Sequence, residues 1–187
     1  MHKLMVVLVS TRPSRAGEPV AKWTLARATA HGKLEASITD LREEALPLYD
    51  EPKHPRLGQY EHEHTVRWAA KVRAADAFVF VTPEYNFGMP PSLLNALTFL
   101  AAEWAYKPAA FVSYGGVSAG TRSVQMAKSV LTTLKIMPIP EAVSLPFFTQ
   151  SIKDGVFAPG DVQDKAAMAM LDELTRWTTA LATMRGA

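Results

Sequence analysis

The sequence predicts an α/β protein in which a five-stranded parallel sheet carries helices on both faces. Short, continuously apolar runs such as LMVVLV (4–9) and AFVFVT (77–82) have the composition of strands that are buried on both sides. Segments with helical spacing of apolar residues separate these runs, so strands and helices alternate along the chain. Parallel strands need such crossover helices, because each strand must start again from the same end of the sheet.

The expected elements follow one another in a regular order. The expected strands are 4–9, 34–41, 77–82, 109–114 and 141–145, and the expected helices are 19–31, 65–75, 92–104, 121–135 and 161–184. Pro19 suits the first position of its helix, and Thr121 and Asp161 are the expected N-caps of the last two helices. Two stretches rich in proline and charge, 42–61 and 146–160, are expected to be irregular. Composition does not change along the chain, so 1–187 is expected to form a single domain.

Composition excludes several classes of function. The 187 residues are 48% hydrophobic and 20% charged, which is ordinary for a globular protein, and a net charge of +2 indicates neither a nucleic-acid nor a membrane partner. The chain contains no cysteine, and its five histidines match no metal-binding spacing, so no metal site is expected. The N-terminal apolar run is too short to span a membrane and no signal cleavage site follows it, so the expected location is cytoplasmic.

Three loops are expected to lie at one edge of the sheet. In open parallel sheets, ligands bind beyond the carboxyl ends of the strands, near the point where the strand order reverses. The loops that follow the first, third and fourth strands are STRPSRAGEP (10–19), PEYNFGMPP (83–91) and GGVSAG (115–120). These loops are therefore the candidate binding site.

The first loop is predicted to bind a phosphate. It precedes a helix, whose N-terminus offers unpaired N–H groups and the positive end of the helix dipole. Hydroxyl groups add neutral donors and arginine forks match phosphate oxygens, so Ser10, Arg12, Ser14 and Arg15 are the expected ligands. The motifs G-x-G-x-x-G and G-x-x-x-x-G-K-[ST] are both absent, which favours a mononucleotide. The alternative is a polar surface turn with solvated arginines.

The second loop has the features of a stiff surface for a flat heterocycle. Its three prolines restrict the backbone, Gly88 permits a close approach, and Tyr85 and Phe87 offer aromatic area. Backbone N–H groups held in such a loop can bind the edge of a ring system. The alternative is a rigid turn whose aromatic side chains belong to the core.

The third loop matches a hydrolase motif but lacks its partner. GVSAG (116–120) fits G-x-S-x-G between a strand and a helix, where a nucleophilic serine would stand. All five histidines precede Ser118, so the catalytic triad cannot form in the usual chain order. We therefore interpret this segment as a glycine-rich loop that approaches a ligand closely.

Taken together, these loops resemble the NAD(P)H-dependent FMN reductases of the flavodoxin-like fold, a family that includes quinone, azo-dye and chromate reductases. The resemblance extends over LMVVLVSTRPSR, LPLYDE, TPEYNFGMPPSLLNAL and SYGGVSAGTRSVQMAKSVLTTL. The most specific part is T-P-E-Y-N directly after a buried strand. It implies a three-layer sandwich of the flavodoxin-like type.

The resemblance also implies a role for each loop. The expected contacts with the FMN phosphate are Ser10, Thr11, Arg12, Ser14, Arg15, Gly17 and Glu18. Those with one side of the flavin ring are Pro83, Glu84, Tyr85 and Asn86, and those along its other edge are Ser113, Tyr114, Gly115 and Gly116. Electrons would pass from NADPH or NADH through FMN to a small-molecule acceptor. No catalytic side chain is required, because the cofactor carries the chemistry. The family's members are usually homodimers or homotetramers.

The chain departs from the family's usual pattern in places. Leu94 and Thr98 replace a common lysine and aspartate on the helix that often forms the dimer, and Ala119 replaces a glycine in the third loop. Two other functions remain open at this point: an electron carrier of the flavodoxin type, and a non-catalytic FMN-binding regulator. The two arginines of the first loop and a sequence pI of about 8.9 are unlike an acidic electron carrier.

Overall fold

In the computed structural model, which describes residues 1–185, five parallel strands form the central sheet. They are β1 (His2–Leu8), β2 (Leu34–Asp40), β3 (Ala77–Pro83), β4 (Pro108–Gly115) and β5 (Met137–Pro146). Their order in the sheet is β2-β1-β3-β4-β5, and every neighbouring pair is parallel. The strand order reverses its direction between β1 and β3, which is where this class of sheet binds its ligands.

Helices cover both faces of the sheet. They are α1 (Gly17–His31), α2 (Leu41–Glu44), α3 (Glu63–Ala74), α4 (Pro91–Thr98), α5 (Thr121–Thr133) and α6 (Asp161–Arg185). Alternate residues of β1 point to opposite sides: Val6 packs with α1 and α6, and Val7 packs with α3, α4 and α5. The predicted three-layer α/β sandwich is thus confirmed. Within residues 1–185 there is no helix whose length and apolarity would allow it to cross a membrane.

The helix expected over 92–104 is wrong in its second half. Helix α4 ends at Thr98, and a separate 3-10 turn, Ala102–Trp104, follows. This turn buries Trp104 against Trp68 and Phe78, with ring centroids 5.8 and 5.0 Å apart. Contact with α3 and β3, which are distant in sequence, therefore decides where the helix ends.

Strand β5 is longer than expected because its prolines do not stop it. It begins at Met137 and includes Pro138 and Pro140. Within residues 1–185 the strand lies at the edge of the sheet and pairs only with β4, and the register of this pair shifts between Ala109 and Phe111 of β4. Edge position and an irregular register are the conditions under which proline is tolerated in a strand.

The two stretches expected to be irregular contain short regular elements. The first holds α2 and the 3-10 turn Pro55–Leu57, and the second holds the 3-10 turn Phe148–Ser151 and a hairpin of β6 (Ile152–Lys153) and β7 (Val156–Phe157). The expected N-caps Thr121 and Asp161 are instead the first residues of their helices, a difference of one position.

Candidate functional site

The three loops follow strands that are neighbours in the sheet. The N–H of Val9 donates to the carbonyl of Val81 at 3.1 Å, which continues the pairing of β1 and β3 to their carboxyl ends. Pro83, the last residue of β3, lies opposite Tyr114 of β4. The chain therefore leaves β1, β3 and β4 at one edge, and the sequence-predicted residues of all three loops lie there.

The first loop leads into a helix that has no side-chain cap. Helix α1 begins at Gly17, and Ala16 in the N-cap position makes no capping hydrogen bond. Thr11, Arg12 and Ser14 are exposed around this helix start. The N–H groups of a first turn have no partner inside the helix, so this end of α1 can receive an anion.

A buried ion pair fixes Arg15 beneath the loop. Its guanidinium donates from Nη1 to Oδ1 of Asp40 at 2.8 Å and to the carbonyl of Ser10 at 3.0 Å, and Nη2 also contacts Asp40. Both side chains of the pair are 9% exposed. Arg15 is therefore balanced by a carboxylate at the end of β2, whereas the exposed Arg12 remains open to a ligand.

Asp40 was not among the residues that the sequence singled out. It is buried, ends β2, and also accepts from the N–H of Arg42 at the start of α2. A signal existed, since an acid closes an otherwise strand-like segment. Its contact with Arg15 depends on the pairing of β2 with β1, which the sequence pattern does not show.

Hydroxyl groups join the first loop to the second. Ser10, which is 2% exposed, shares a hydrogen bond of 2.6 Å with the hydroxyl of Tyr85. The contact ties the end of β1 to the residue that follows Glu84. It places two of the predicted ligand-binding residues side by side.

The hydroxyl of Tyr114 lies buried at the start of α1. Tyr114 comes so close to Gly17 that a Cβ on Gly17 would stand 2.1 Å from the hydroxyl oxygen. This oxygen is buried, and within residues 1–185 no group meets it with full hydrogen-bond geometry, although the Ser10 hydroxyl lies near enough to oppose the rise in its pKa. Burial, and secondarily the neighbouring Tyr85, raises the pKa of Tyr114, so the hydroxyl stays protonated and can donate. The sequence-based expectation put Tyr114 beside the flavin ring; in the structure its hydroxyl lies against Gly17, the first residue of α1.

The unpaired hydroxyl of Tyr114 indicates whether the site suits the phosphate of FMN. A buried hydroxyl without a partner costs roughly 1–3 kcal/mol, so native proteins rarely leave one unpaired without a reason. An anionic group bound at the start of α1 would accept from both the helix N–H groups and Tyr114. The residues present therefore fit a phosphate-bearing cofactor.

Replacing Tyr114 with phenylalanine is expected to move stability and binding in opposite directions. Flavin-free protein should gain about 1 kcal/mol in free energy of unfolding, because the unpaired hydroxyl is gone. FMN affinity should fall about tenfold or more, because a hydrogen bond to a charged group is lost. Denaturant unfolding and quenching of FMN fluorescence measure the two effects. Tyr106→Phe, just before the opposite end of β4, is the control. Unchanged FMN affinity in Tyr114→Phe would contradict a contact between the Tyr114 hydroxyl and the phosphate.

The second loop contains a tight two-residue turn. The N–H of Tyr85 donates to the carbonyl of Gly88 at 3.0 Å, and the N–H of Gly88 donates back at 2.9 Å. Between them, Asn86 and Phe87 have φ angles of 49° and 64°, both in the left-handed region, as a type I′ turn requires. Phe87 is 75% exposed, so it is not the core residue of the alternative interpretation.

The third loop packs closely against its own strand. Gly120 has a φ of 76°, and a Cβ there would lie 2.9 Å from the carbonyl oxygen of Tyr114, so glycine is required. Ala119 has a φ of 52°, so alanine takes a conformation that glycine adopts at lower cost. The hydroxyl of Ser118 donates to Glu84 at 3.4 Å rather than to a histidine, which removes the hydrolase interpretation. Ser113 is buried, Gly115 is half-buried and Gly116 is exposed.

Comparison with known proteins shows relatives that match most of this chain. The family model for NADPH-dependent FMN reductases matches residues 2–150. An NAD(P)H-dependent FMN reductase of Schizosaccharomyces pombe is 37% identical over 159 residues, which are 84% of this chain and 79% of the relative. A quinone reductase of Pseudomonas putida is 29% identical over 76% of this chain and 77% of its own length.

Solved structures give the same fold. The flavoenzyme FerB of Paracoccus denitrificans, an NAD(P)H:(acceptor) oxidoreductase, superposes with a TM-score of 0.78. The two chains are 20% identical, and the match covers 96% of this chain and 98% of FerB. The resemblance inferred from the sequence motifs is confirmed by the match over most of the chain. The protein belongs to the NADPH-dependent FMN reductase family.

Proposed function

We propose that this protein transfers hydride from NADPH or NADH, through bound FMN, to a small-molecule acceptor. Its family consists of FMN-dependent oxidoreductases, so the protein is an enzyme of that class. When bound, FMN supplies the redox chemistry, and the protein supplies position and electrostatics. The observation that carries the proposal is the unpaired Tyr114 hydroxyl beside the uncapped start of α1.

The binding residues are proposed in three groups. For the phosphate they are Ser10, Thr11, Arg12, Ser14, Gly17 and Glu18, to which the hydroxyl of Tyr114 is added. For the flavin ring they are Pro83, Glu84, Tyr85 and Asn86 on one side and Ser113, Gly115 and Gly116 on the other. Arg15 supports the phosphate site through Asp40 and the carbonyl of Ser10. Arg12, which is exposed at the same loop, provides the charge that meets the ligand.

The proposed acceptor is a quinone, an azo compound, a free flavin or a metal oxyanion. A quinone reductase and an azoreductase, the latter from a Bacillus species, are among the relatives. The rim of the proposed ring site is open and partly apolar, since Phe87 and Val117 are 75% and 82% exposed. Flat, uncharged acceptors suit such a surface.

The protein is further proposed to be a cytoplasmic homodimer or homotetramer. Leu94 on α4, Met126 on α5 and Phe87 expose apolar area on adjoining elements, and such patches often mark subunit contacts. Sedimentation velocity tests the assembly. Leu94→Lys should shift it towards the monomer, whereas Val162→Lys, at an exposed valine near the start of α6, should not.

The test of function is the visible spectrum of the purified protein, reconstituted with FMN, during anaerobic addition of NADPH or NADH. Rapid bleaching of the bound-flavin band is the expected result. Flavin that binds but does not bleach with either nucleotide would favour an electron carrier or a regulator. Protein that binds no flavin would contradict the proposal altogether.

A further inference from the structure

We infer that Arg122 is a positioning residue for the flavin site, which holds Glu84 and the adjoining turn 85–88 against the start of α5. The inference rests on the proposed FMN binding, because that turn belongs to the segment proposed to line the ring. It adds a role for two side chains, Arg122 and Phe87, that lie outside the proposed contacts with FMN.

Glu84 is held almost entirely by the start of α5. Its side chain is 8% exposed, and it accepts from Nη2 of Arg122 at 2.6 Å and from Nε at 2.7 Å. The backbone N–H of Arg122 also donates to the same carboxylate at 3.1 Å. The N-cap of α5 is Gly120, which has no side chain to offer, so a carboxylate from another loop caps the helix.

The turn that follows Glu84 needs such support. Asn86 and Phe87 both have positive φ angles, and for a bulky residue such as Phe87 this conformation is strained. Burial within a single chain does not compensate for this strain, since Phe87 is 75% exposed there. The guanidinium of Arg122 lies 4.1 Å from the centroid of the Phe87 ring and covers one of its faces. Arg122 thus contacts Glu84, which precedes the turn, and Phe87, which lies within it.

The segment is consequently anchored on two sides. The hydroxyl of Tyr85 ties it to Ser10 in the first loop, and Glu84 ties it to Arg122 at the start of α5. Removal of Arg122 would leave a nearly buried carboxylate without its charge partner, which is strongly unfavourable. The segment would then rearrange, while the phosphate end of the site, built on α1, would keep its contacts.

The test compares two flavins that differ only in the phosphate. Arg122→Ala should weaken FMN and riboflavin by the same factor, about tenfold, because the change affects the ring alone. Arg12→Ala should weaken the binding of FMN much more than the binding of riboflavin. Arg122→Lys should recover only part of the affinity, because lysine lacks the planar fork. Lys128→Ala removes a positive charge from the same helix and should leave both affinities unchanged.

Hydrogen exchange of the flavin-free protein supplies a second readout. Arg122→Ala and Glu84→Gln should each raise the rate of hydrogen exchange at 84–88. The double variant should exchange no faster than either single variant, because the two residues act as a unit. Wild-type affinity for both flavins in Arg122→Ala, or a loss restricted to FMN, would overturn the inference alone. A wild-type protein that binds neither flavin would overturn the proposed function, and with it this inference.

Discussion

Replacing Gly17 with alanine is expected to weaken FMN binding by about 100-fold or more. The new Cβ would lie 2.1 Å from the hydroxyl oxygen of Tyr114 and 2.7 Å from its ring carbon Cζ. The ring is 4% exposed and packs on Phe148 with centroids 4.6 Å apart, so it has little room to retreat. Either the start of α1 or Tyr114 must move, and overpacking of this kind costs about 1–3 kcal/mol.

The loss of binding should exceed what destabilisation alone can explain. Two groups proposed to meet the phosphate, the first N–H groups of α1 and the Tyr114 hydroxyl, are displaced together, which predicts an affinity loss of about 100-fold or more. FMN fluorescence quenching measures it.

Gly58→Ala is the matched control for this variant. Gly58 has a φ of 62° and nothing within 4 Å of a Cβ, so its replacement should cost stability without touching the site. A Gly17→Ala protein that binds FMN as tightly as Gly58→Ala would show that α1 does not hold the phosphate.

Replacing Arg15 with alanine is expected to cost more stability than any other change at the first loop. Asp40 would be left buried without its charge partner, and breaking a buried pair in this way costs about 3–5 kcal/mol. Denaturant unfolding of the flavin-free protein measures the loss. Arg12→Ala, by contrast, should leave the free energy of unfolding nearly unchanged and weaken FMN binding, because Arg12 is exposed.

Two further variants make the Arg15 result specific. Arg67→Ala removes an arginine whose pair with Glu63 is exposed, and it should cost less than about 0.5 kcal/mol. Arg15→Met combined with Asp40→Asn should recover part of the stability, because no buried charge is then left unpaired. A loss below about 1 kcal/mol in Arg15→Ala would mean that water compensates the carboxylate and the pair is not effectively buried.

Arg12 and Arg15 show how much of the candidate site can be predicted from local sequence. The first loop could be selected as a candidate anion site because an apolar run, a polar stretch and a helical pattern follow one another within 31 residues. Nothing in that window distinguishes Arg12 from Arg15. Their different roles depend on Asp40, which is 25 positions away from Arg15 and reaches it only because β2 pairs with β1.

The rest of the molecule also has features that short sequence segments predict and features that depend on tertiary contacts. Sequence alone determined the alternation of strands and helices, the three loops and the family, because periodicity, turn residues and motifs are properties of short segments. Tertiary structure alone decided the end of α4, the position of the Tyr114 hydroxyl and the pair of Glu84 with Arg122. Each of these depends on a contact between residues distant in sequence, and only the packed sheet and helices bring such residues together.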